Sequence, residues 1–191
     1  TDLHAVYDEK RVIAVMERIG MDSPNTALKL PDGKDADSFS TILPYYKGCY
    51  FLQECEYAVG RERFDAFIQK YMARFQFQSL TTEAFLDFLK AELGEVFEKV
   101  NVQRWIYEPG LTDERRKPKS HLYDEVQQVL NDYEQGVKPA KEQVQNWHRY
   151  QILSFLQGLP GKISVEDCQY FDNILELEKR NDVAFFSHFY V

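Results

Sequence analysis

Apolar residues recur at spacings of three and four along most of this sequence, with short turns between the segments. In one segment the residues that share this spacing are Phe64, Phe67, Ile68, Tyr71 and Phe75. Such spacing places side chains on one face of an α-helix. No segment shows the alternation of apolar and polar residues that is typical of a half-buried strand, apart from brief extended pieces near residues 27–30. The sequence therefore predicts an all-α fold, and its short connections favour antiparallel packing of neighbouring helices.

The helical pattern breaks once over a long stretch, residues 101–119, which is aromatic first and then turn-prone and charged. We predict that residues 1–111 form an antiparallel helical bundle, that residues 112–119 form a linker, and that residues 120–191 begin a second helical domain. Four short helices with tight turns are predicted in that second part, as in an armadillo-like solenoid. A long surface loop inside one domain is the alternative interpretation of the linker.

Several residues are predicted to begin helices. Pro44 suits a first helical turn, where the N–H that proline lacks would be unpaired in any case. The buried stripe of the helix that follows is predicted to be Tyr45, Cys49, Leu52 and Val59. Side chains that can cap other helices are those of Asp2, Thr81, Ser120 and Ser164. A later helix is predicted to carry Val144, Ile152, Phe155 and Leu156, with His148 on the same apolar stripe, and to end at residues 158–161.

Composition excludes several classes of function. The net charge is −8, whereas a nucleic-acid surface would be basic, so we predict no nucleic-acid partner. No run of about 18 apolar residues is present, which predicts no membrane span, and no signal peptide opens the chain. The three cysteines, Cys49, Cys55 and Cys168, fit no zinc-finger spacing. A reducing compartment, and so a cytoplasmic location, is the simplest interpretation; an export signal outside this chain is the alternative.

No complete catalytic motif is present. The sequence lacks His-Glu-x-x-His, a P-loop, Gly-x-Gly-x-x-Gly and Gly-x-Ser-x-Gly. His4 and Asp8 share a helix face, but a zinc site needs two or three further ligands. We therefore predict that this chain binds no metal or cofactor by itself. The apolar end of the chain, residues 185–191, has no helix stop signal, which predicts a fragment; a processed natural terminus is the alternative.

Four segments carry a resemblance to a known family. They are residues 39–48 (FSTILPYYKG), 59–64 (VGRERF), 71–82 (YMARFQFQSLTT) and 105–111 (WIYEPGL). Their order and spacing resemble the zinc aminopeptidases of the aminopeptidase N and leukotriene hydrolase family. The likeness runs from about Val12 to Thr112, and it includes the family's Tyr-Glu-Lys-Gly at a helix start, usually preceded by Pro. The match is looser afterwards, where the chain resembles the family's C-terminal helical domain.

The resemblance implies a function and a role for one residue. In this family a zinc held by two His and one Glu activates water for peptide hydrolysis, and a Glu is the general base. A tyrosine donates a hydrogen bond to the oxyanion, and the matching residue here is Tyr45. The resemblance thus implies the end of a catalytic domain over residues 1–111, in an enzyme that removes N-terminal residues from peptides. The zinc ligands lie upstream in the family, so the fragment alone is expected to be inactive.

Two departures from the family pattern stand at this element. Tyr46 replaces the family's Glu, and one extra residue lies between Phe39 and Pro44. By its spacing alone Tyr45 could be a core residue rather than a catalytic one. Lys47 is predicted to be a solvent-facing or supporting cation, and Gly48 is predicted to allow another backbone to pack close.

Two hypotheses for the whole protein follow. The first is a zinc-dependent aminopeptidase acting on peptide substrates, in which this chain supplies Tyr45 but not the metal site. The second is a non-catalytic helical scaffold of the HEAT or armadillo kind, which the solenoid-like second half and the missing metal motif favour.

Overall fold

The computed structural model describes residues 2–30 and 42–185 of the chain, and these residues are helical with short connections. The α-helices are α1 (Asp2–Ile19), α2 (Leu43–Val59), α3 (Arg61–Phe75), α4 (Thr82–Glu92), α5 (Val96–Lys99), α6 (Val102–Tyr107), α7 (His121–Glu134), α8 (Lys141–Val144), α9 (Arg149–Gly158) and α10 (Val165–Leu175). Short 3₁₀ turns occupy Pro24–Thr26 and Glu178–Arg180. No strand occurs in the described part of the chain, including residues 27–30. The predicted all-α class is confirmed.

Three predictions concern residues outside those described. They are the extra residue between Phe39 and Pro44, the segment 32–37, whose polar, glycine-containing sequence predicts a turn, and the apolar end of the chain after Phe185. No helix among the described residues has the length and apolar character needed to cross a membrane.

The chain divides into two compact units. One consists of residues 10–116, and the other consists of residues 1–9 together with residues 117–191. The division near residue 116 lies inside the segment predicted as a linker, and the assignment of these parts to two domains stays a prediction.

An aromatic core holds the unit of residues 10–116 together. Phe67 on α3 lies 5.6 Å from Phe88 on α4, and Phe75 meets the same ring edge-on at 5.2 Å, both between ring centroids. Tyr71 contacts Phe85 edge-on at 5.8 Å. Tilted and edge-to-face pairs of this kind are the favourable geometries for aromatic rings. The periodic residues of α3 therefore pack as their spacing predicts.

A smaller cluster in the same unit positions the start of α2. Val12 and Met16 on α1 are fully buried against Leu43, the first residue of α2. Tyr46 and Leu111 pack against these three side chains. The departure Tyr46 thus contributes its ring to an apolar cluster, which a glutamate could not do without burying a charge.

The helix caps partly follow the prediction. The Thr81 hydroxyl accepts a hydrogen bond from the Ala84 N–H at 3.2 Å, and the Ser164 hydroxyl accepts one from the Asp167 N–H at 3.0 Å. Ser120 precedes α7 but its side chain makes no capping bond, and Asp2 is the first residue of α1 rather than its cap.

The second unit has its own core, in which α7 packs against α9 and α8 against α10. Its fully buried residues include Val126, Ile152, Phe155 and Phe171. The helix predicted across residues 144–156 is wrong in one respect, because the chain leaves the helical conformation after α8 and re-enters it at Arg149. His148 therefore lies on the surface, immediately before α9, and not on an apolar face.

Candidate functional site

Tyr45 stands in the first turn of α2, with its side chain directed outward. Helix α2 begins at Leu43, so Pro44 occupies the second helical position and Tyr45 the third. The Tyr45 side chain is 80% exposed. This exposure excludes the interpretation that Tyr45 is a core residue within its unit. A phenol at this position is an available hydrogen-bond donor, close to the positive end of a 17-residue helix.

The buried face of α2 is not the predicted one. Its buried residues are Leu43, Lys47, Phe51 and Cys55, spaced by four along the helix. Of the predicted stripe, Cys49 is exposed like Tyr45, while Leu52 and Val59 are half-buried. Of the two roles predicted for Lys47, the solvent-facing one is therefore wrong, and the supporting one stays a prediction.

Lys47 is almost completely buried, with 1% of its surface exposed. Its Nζ donates a hydrogen bond to the Glu108 carbonyl oxygen at 2.7 Å and another to the Thr26 carbonyl oxygen at 3.1 Å. Thr26 ends the first 3₁₀ turn, and Glu108 follows α6 directly. One side chain on α2 thus links two connecting segments that are 82 residues apart in sequence.

Thr26 completes this arrangement. Its side chain is fully buried, and its hydroxyl donates to the Ser23 carbonyl at 2.8 Å while accepting from the Gly110 N–H at 2.8 Å. We name the group of Thr26, Lys47, Glu108 and Gly110 the buried lysine network. Buried polar groups are stable only when they are hydrogen-bonded, and here the backbone carbonyls meet that need.

The environment shifts the acidity of this lysine. The pKa of Lys47 is lowered from 10.5 to about 8, chiefly by burial and in part by the positive charge of Arg104, while Glu108 acts in the opposite direction. The cause is the cost of holding an ammonium group away from water. Lys47 is therefore still protonated at neutral pH, but only by a narrow margin.

The sequence predicted that Gly48 lets another backbone pack close, but no backbone lies close to Gly48 among the described residues. A Cβ placed on Gly48 would meet the Leu28 side chain at 3.9 Å, which is ordinary van der Waals contact. Gly48 instead lines an apolar cavity of about 360 Å³ between α2, α3 and α4, with Phe51, Tyr71 and Phe85 in its wall. Tyr45 is not part of that wall, so this cavity is separate from the exposed phenol.

The described residues do not fit a zinc ion. No group of three or more His, Cys, Asp or Glu side chains in residues 2–30 and 42–185 is arranged to hold a metal. His4 Nε2 lies 3.0 Å from an Asp8 carboxylate oxygen, and its ring stacks on Tyr150 at 4.3 Å between centroids. These contacts explain His4 as a structural residue.

Comparison with known proteins identifies the family. The model of the peptidase family M1 domain matches residues 4–105, which include Thr26, Tyr45 and Lys47. The chain belongs to the M1 peptidase family. The predicted resemblance to zinc aminopeptidases of this family is confirmed, and it covers the region from α1 to α6.

The relatives of this M1 chain are longer proteins. It is 28% identical to leucine aminopeptidase 2 of Chaetomium globosum, over 99% of this chain and 33% of the relative. It is 31% identical to leucine aminopeptidase 2 of Aspergillus clavatus, over 80% of this chain and 26% of the relative. The structure of yeast LTA4 hydrolase in complex with bestatin shares the fold with a TM-score of 0.73 and 21% identity, over 95% of this chain and 34% of that one. The M1 chain thus spans about a third or less of the length of these proteins.

Sequence reasoning missed the buried lysine network. Thr26 lies in a segment with no periodic pattern, and nothing in the sequence marks it as buried. Lys47 could have been found, because Leu43, Lys47, Phe51 and Cys55 form an unbroken four-residue repeat in which three of the four side chains are apolar.

Proposed function

We propose that this chain is part of a longer zinc-dependent aminopeptidase that removes N-terminal residues from peptides, and that Tyr45 stabilises the oxyanion of the reaction. The exposed phenol of Tyr45 at the start of α2, inside the matched M1 region, carries this proposal. The names of the curated relatives, which are leucine aminopeptidases, support the substrate class. Family membership favours this hypothesis over the helical scaffold.

The chemistry asked of Tyr45 is simple. A tyrosine hydroxyl can donate one O–H hydrogen bond. When water attacks a peptide carbonyl, negative charge develops on the carbonyl oxygen. A donor aimed at that oxygen lowers the barrier, because the bond is stronger to the oxyanion than to the neutral carbonyl. The positive end of α2 favours the same charge.

The remaining expectations are part of this proposal. Residues 1–111 would be the end of the catalytic domain, residues 112–119 a linker, and residues 120–191 the start of the C-terminal helical domain. The metal ligands and general base would be supplied by other parts of the longer enzyme, since the described residues hold no fitting set. The three cysteines, none of which forms a disulfide, agree with the predicted cytoplasmic location.

The test is Tyr45→Phe in the full-length enzyme. Loss of one oxyanion donor typically lowers kcat by about 10²–10³, so we expect a decrease of that size with little change in KM and with unchanged zinc content. Tyr57→Phe is the matched control, because Tyr57 lies on the same helix and is 52% exposed; it should leave kcat unchanged. Wild-type turnover of a peptide substrate by the Tyr45→Phe enzyme would exclude the proposed role.

A further inference from the structure

The residue that precedes α2 does not cap the helix with its side chain. Ile42 makes no side-chain capping hydrogen bond, whereas capping side chains satisfy N–H groups of the first turn and help define where a helix begins. Contacts made further along α2 can also fix the position and rotation of the turn that carries Tyr45.

Lys47 supplies such a contact from the opposite side of the helix. Two residues along an α-helix turn the side-chain direction by about 200°, so Lys47 points into the unit where Tyr45 points out. The two bonds from Lys47 Nζ reach carbonyls on separate segments, at 2.7 and 3.1 Å. Two anchors at different places restrain both the rotation and the tilt of the helix start, which a single bond would not do.

The two segments that Lys47 contacts are hydrogen-bonded to each other. The carbonyl of Thr26 belongs to a residue whose hydroxyl is bonded to Ser23 and to Gly110. The Lys29 N–H donates to the Ile106 carbonyl at 2.9 Å, which adds a second tie between the same two segments. Lys47 therefore connects α2 to these two segments, which we call the frame and which are already hydrogen-bonded to each other.

We propose that Lys47 is a positioning residue that sets the direction of the Tyr45 phenol through the buried lysine network. This inference rests on the proposed function of Tyr45. Lys47 takes no part in the chemistry, because it is buried on the far side of the helix and bonded to backbone. Small displacements of a catalytic group have large effects on rate, since an error of about 1 Å can cost about 10²-fold.

The experiment is a double-mutant cycle in the full-length enzyme with Lys47→Met, Tyr45→Phe and the double variant. Methionine fills similar space but cannot donate. We expect Lys47→Met to lower kcat by about 10- to 100-fold with KM changed less than about threefold. In the Tyr45→Phe background the same substitution should lower kcat by less than about threefold, because there is no phenol hydroxyl left to aim.

A matched control exists at the other end of α2. Lys99 Nζ donates to the Ala58 carbonyl at 2.8 Å, but its side chain is more than half exposed. Lys99→Met removes a lysine-to-carbonyl bond from the same helix far from Tyr45, and it should leave kcat unchanged.

If Lys47→Met does not yield folded enzyme by circular dichroism, Thr26→Val is the second variant. It removes the hydroxyl that bonds to Gly110, and it should give the same pattern with a smaller effect.

The outcomes separate the two proposals. If Tyr45→Phe retains wild-type turnover, the role of Tyr45 is wrong, and the positioning role falls with it. If Tyr45→Phe loses turnover but Lys47→Met, or Thr26→Val in its place, lowers kcat equally in both backgrounds or not at all, the positioning role alone is wrong.

Discussion

Lys47 is the residue whose environment differs most from its sequence expectation. Within residues 2–30 and 42–185, both hydrogen bonds of its ammonium group go to neutral carbonyls, and no carboxylate of these residues is bonded to it to offset the cost of burial. A neutral amine has two N–H groups and can make the same two bonds. The network can therefore persist when Lys47 loses its proton, and deprotonation removes the buried charge.

This predicts a specific pH dependence of stability. The pKa of Lys47 is about 8 in the folded chain and 10.5 in the ordinary lysine. Between these values the unfolded chain binds a proton that the folded chain has lost, so the free energy of unfolding rises with pH over this window. The gain reaches on the order of 3 kcal/mol above pH 10.5. Arg104 and Glu108 are the charged groups that act on the pKa of Lys47.

Urea unfolding of the 191-residue chain at several pH values between 7 and 10.5 measures this effect. Other lysines and tyrosines titrate in the same range, so the informative quantity is the difference between the wild type and Lys47→Met. That difference should move in favour of the wild type as pH rises above 8. A difference independent of pH would mean that the pKa of Lys47 is not lowered.

Gly48 gives a second prediction at the scale of one residue. Glycine inside a helix costs about 0.5–1 kcal/mol relative to alanine, and a Cβ on Gly48 meets only ordinary contact. Gly48→Ala should therefore stabilise the chain by about that amount. Gly158, at the end of α9, is the contrasting control, because its Cβ would lie 2.3 Å from Leu130 Cδ1. Gly158→Ala should destabilise by about 1–3 kcal/mol.

Thermal or urea unfolding of both variants gives the comparison. A destabilising Gly48→Ala would show that glycine is needed at this position for close packing, as the sequence had first suggested.

At the scale of elements, α2 shows how a helix can be predicted correctly while its orientation is not. Its existence and its start near Pro44 follow from local chemistry. Its buried face depends on what surrounds it. Treating Lys47 as polar moves the expected stripe to Tyr45 and Cys49, whereas the unit buries Lys47 because two distant carbonyls are available to it. Those carbonyls are a tertiary feature that no local pattern contains.

Cysteine reactivity tests this orientation of α2 directly. Cys49 is exposed, while Cys55 is completely buried and burial raises its pKa to about 12. The thiolate is the reactive form, so iodoacetamide at pH 8 should label Cys49 at least about tenfold faster than Cys55 in the folded chain. Peptide mass spectrometry before and after unfolding in guanidinium gives both rates, and the unfolded chain provides the control in which the two are similar. Slower labelling of Cys49 than of Cys55 in the folded chain would support the stripe predicted from the sequence instead.

The other elements divide along similar lines. Helix α3 and the caps at Thr81 and Ser164 follow from spacing and from short-range hydrogen bonds, which the sequence displays. The break between α8 and α9 was missed, because the helical spacing of apolar residues continues through it. The backbone, in contrast, leaves the helical conformation there. The placement of Tyr45 in the candidate site came from the family motif; its exposure depends on how α2 is oriented in its unit. The supporting network depends on three segments that meet only in the folded unit.

At the scale of the whole molecule, this chain holds a complete stretch of fold but only part of the proposed catalytic site. The fold of this chain is matched over 95% of its length by a solved structure, yet the chain spans only 33% of leucine aminopeptidase 2 of Chaetomium globosum. A hydrogen-bond donor such as Tyr45 acts only on a substrate that other groups bind and activate. The proposed activity therefore belongs to the longer protein, with this chain as one side of its site.

The last prediction concerns the 191-residue chain by itself. Structural and catalytic zinc sites need at least three protein ligands, and the described residues offer no such group. We expect the purified chain, dialysed against buffer with micromolar zinc and then against buffer alone, to retain well below one zinc per chain by atomic emission. It should also release no product from an aminoacyl chromogenic substrate. The full-length enzyme is the positive control for both measurements. Stoichiometric zinc together with hydrolysis in the purified chain would show that a complete site is present within these 191 residues. The proposal that this chain supplies Tyr45 while the rest of the enzyme supplies the metal ligands would then be wrong.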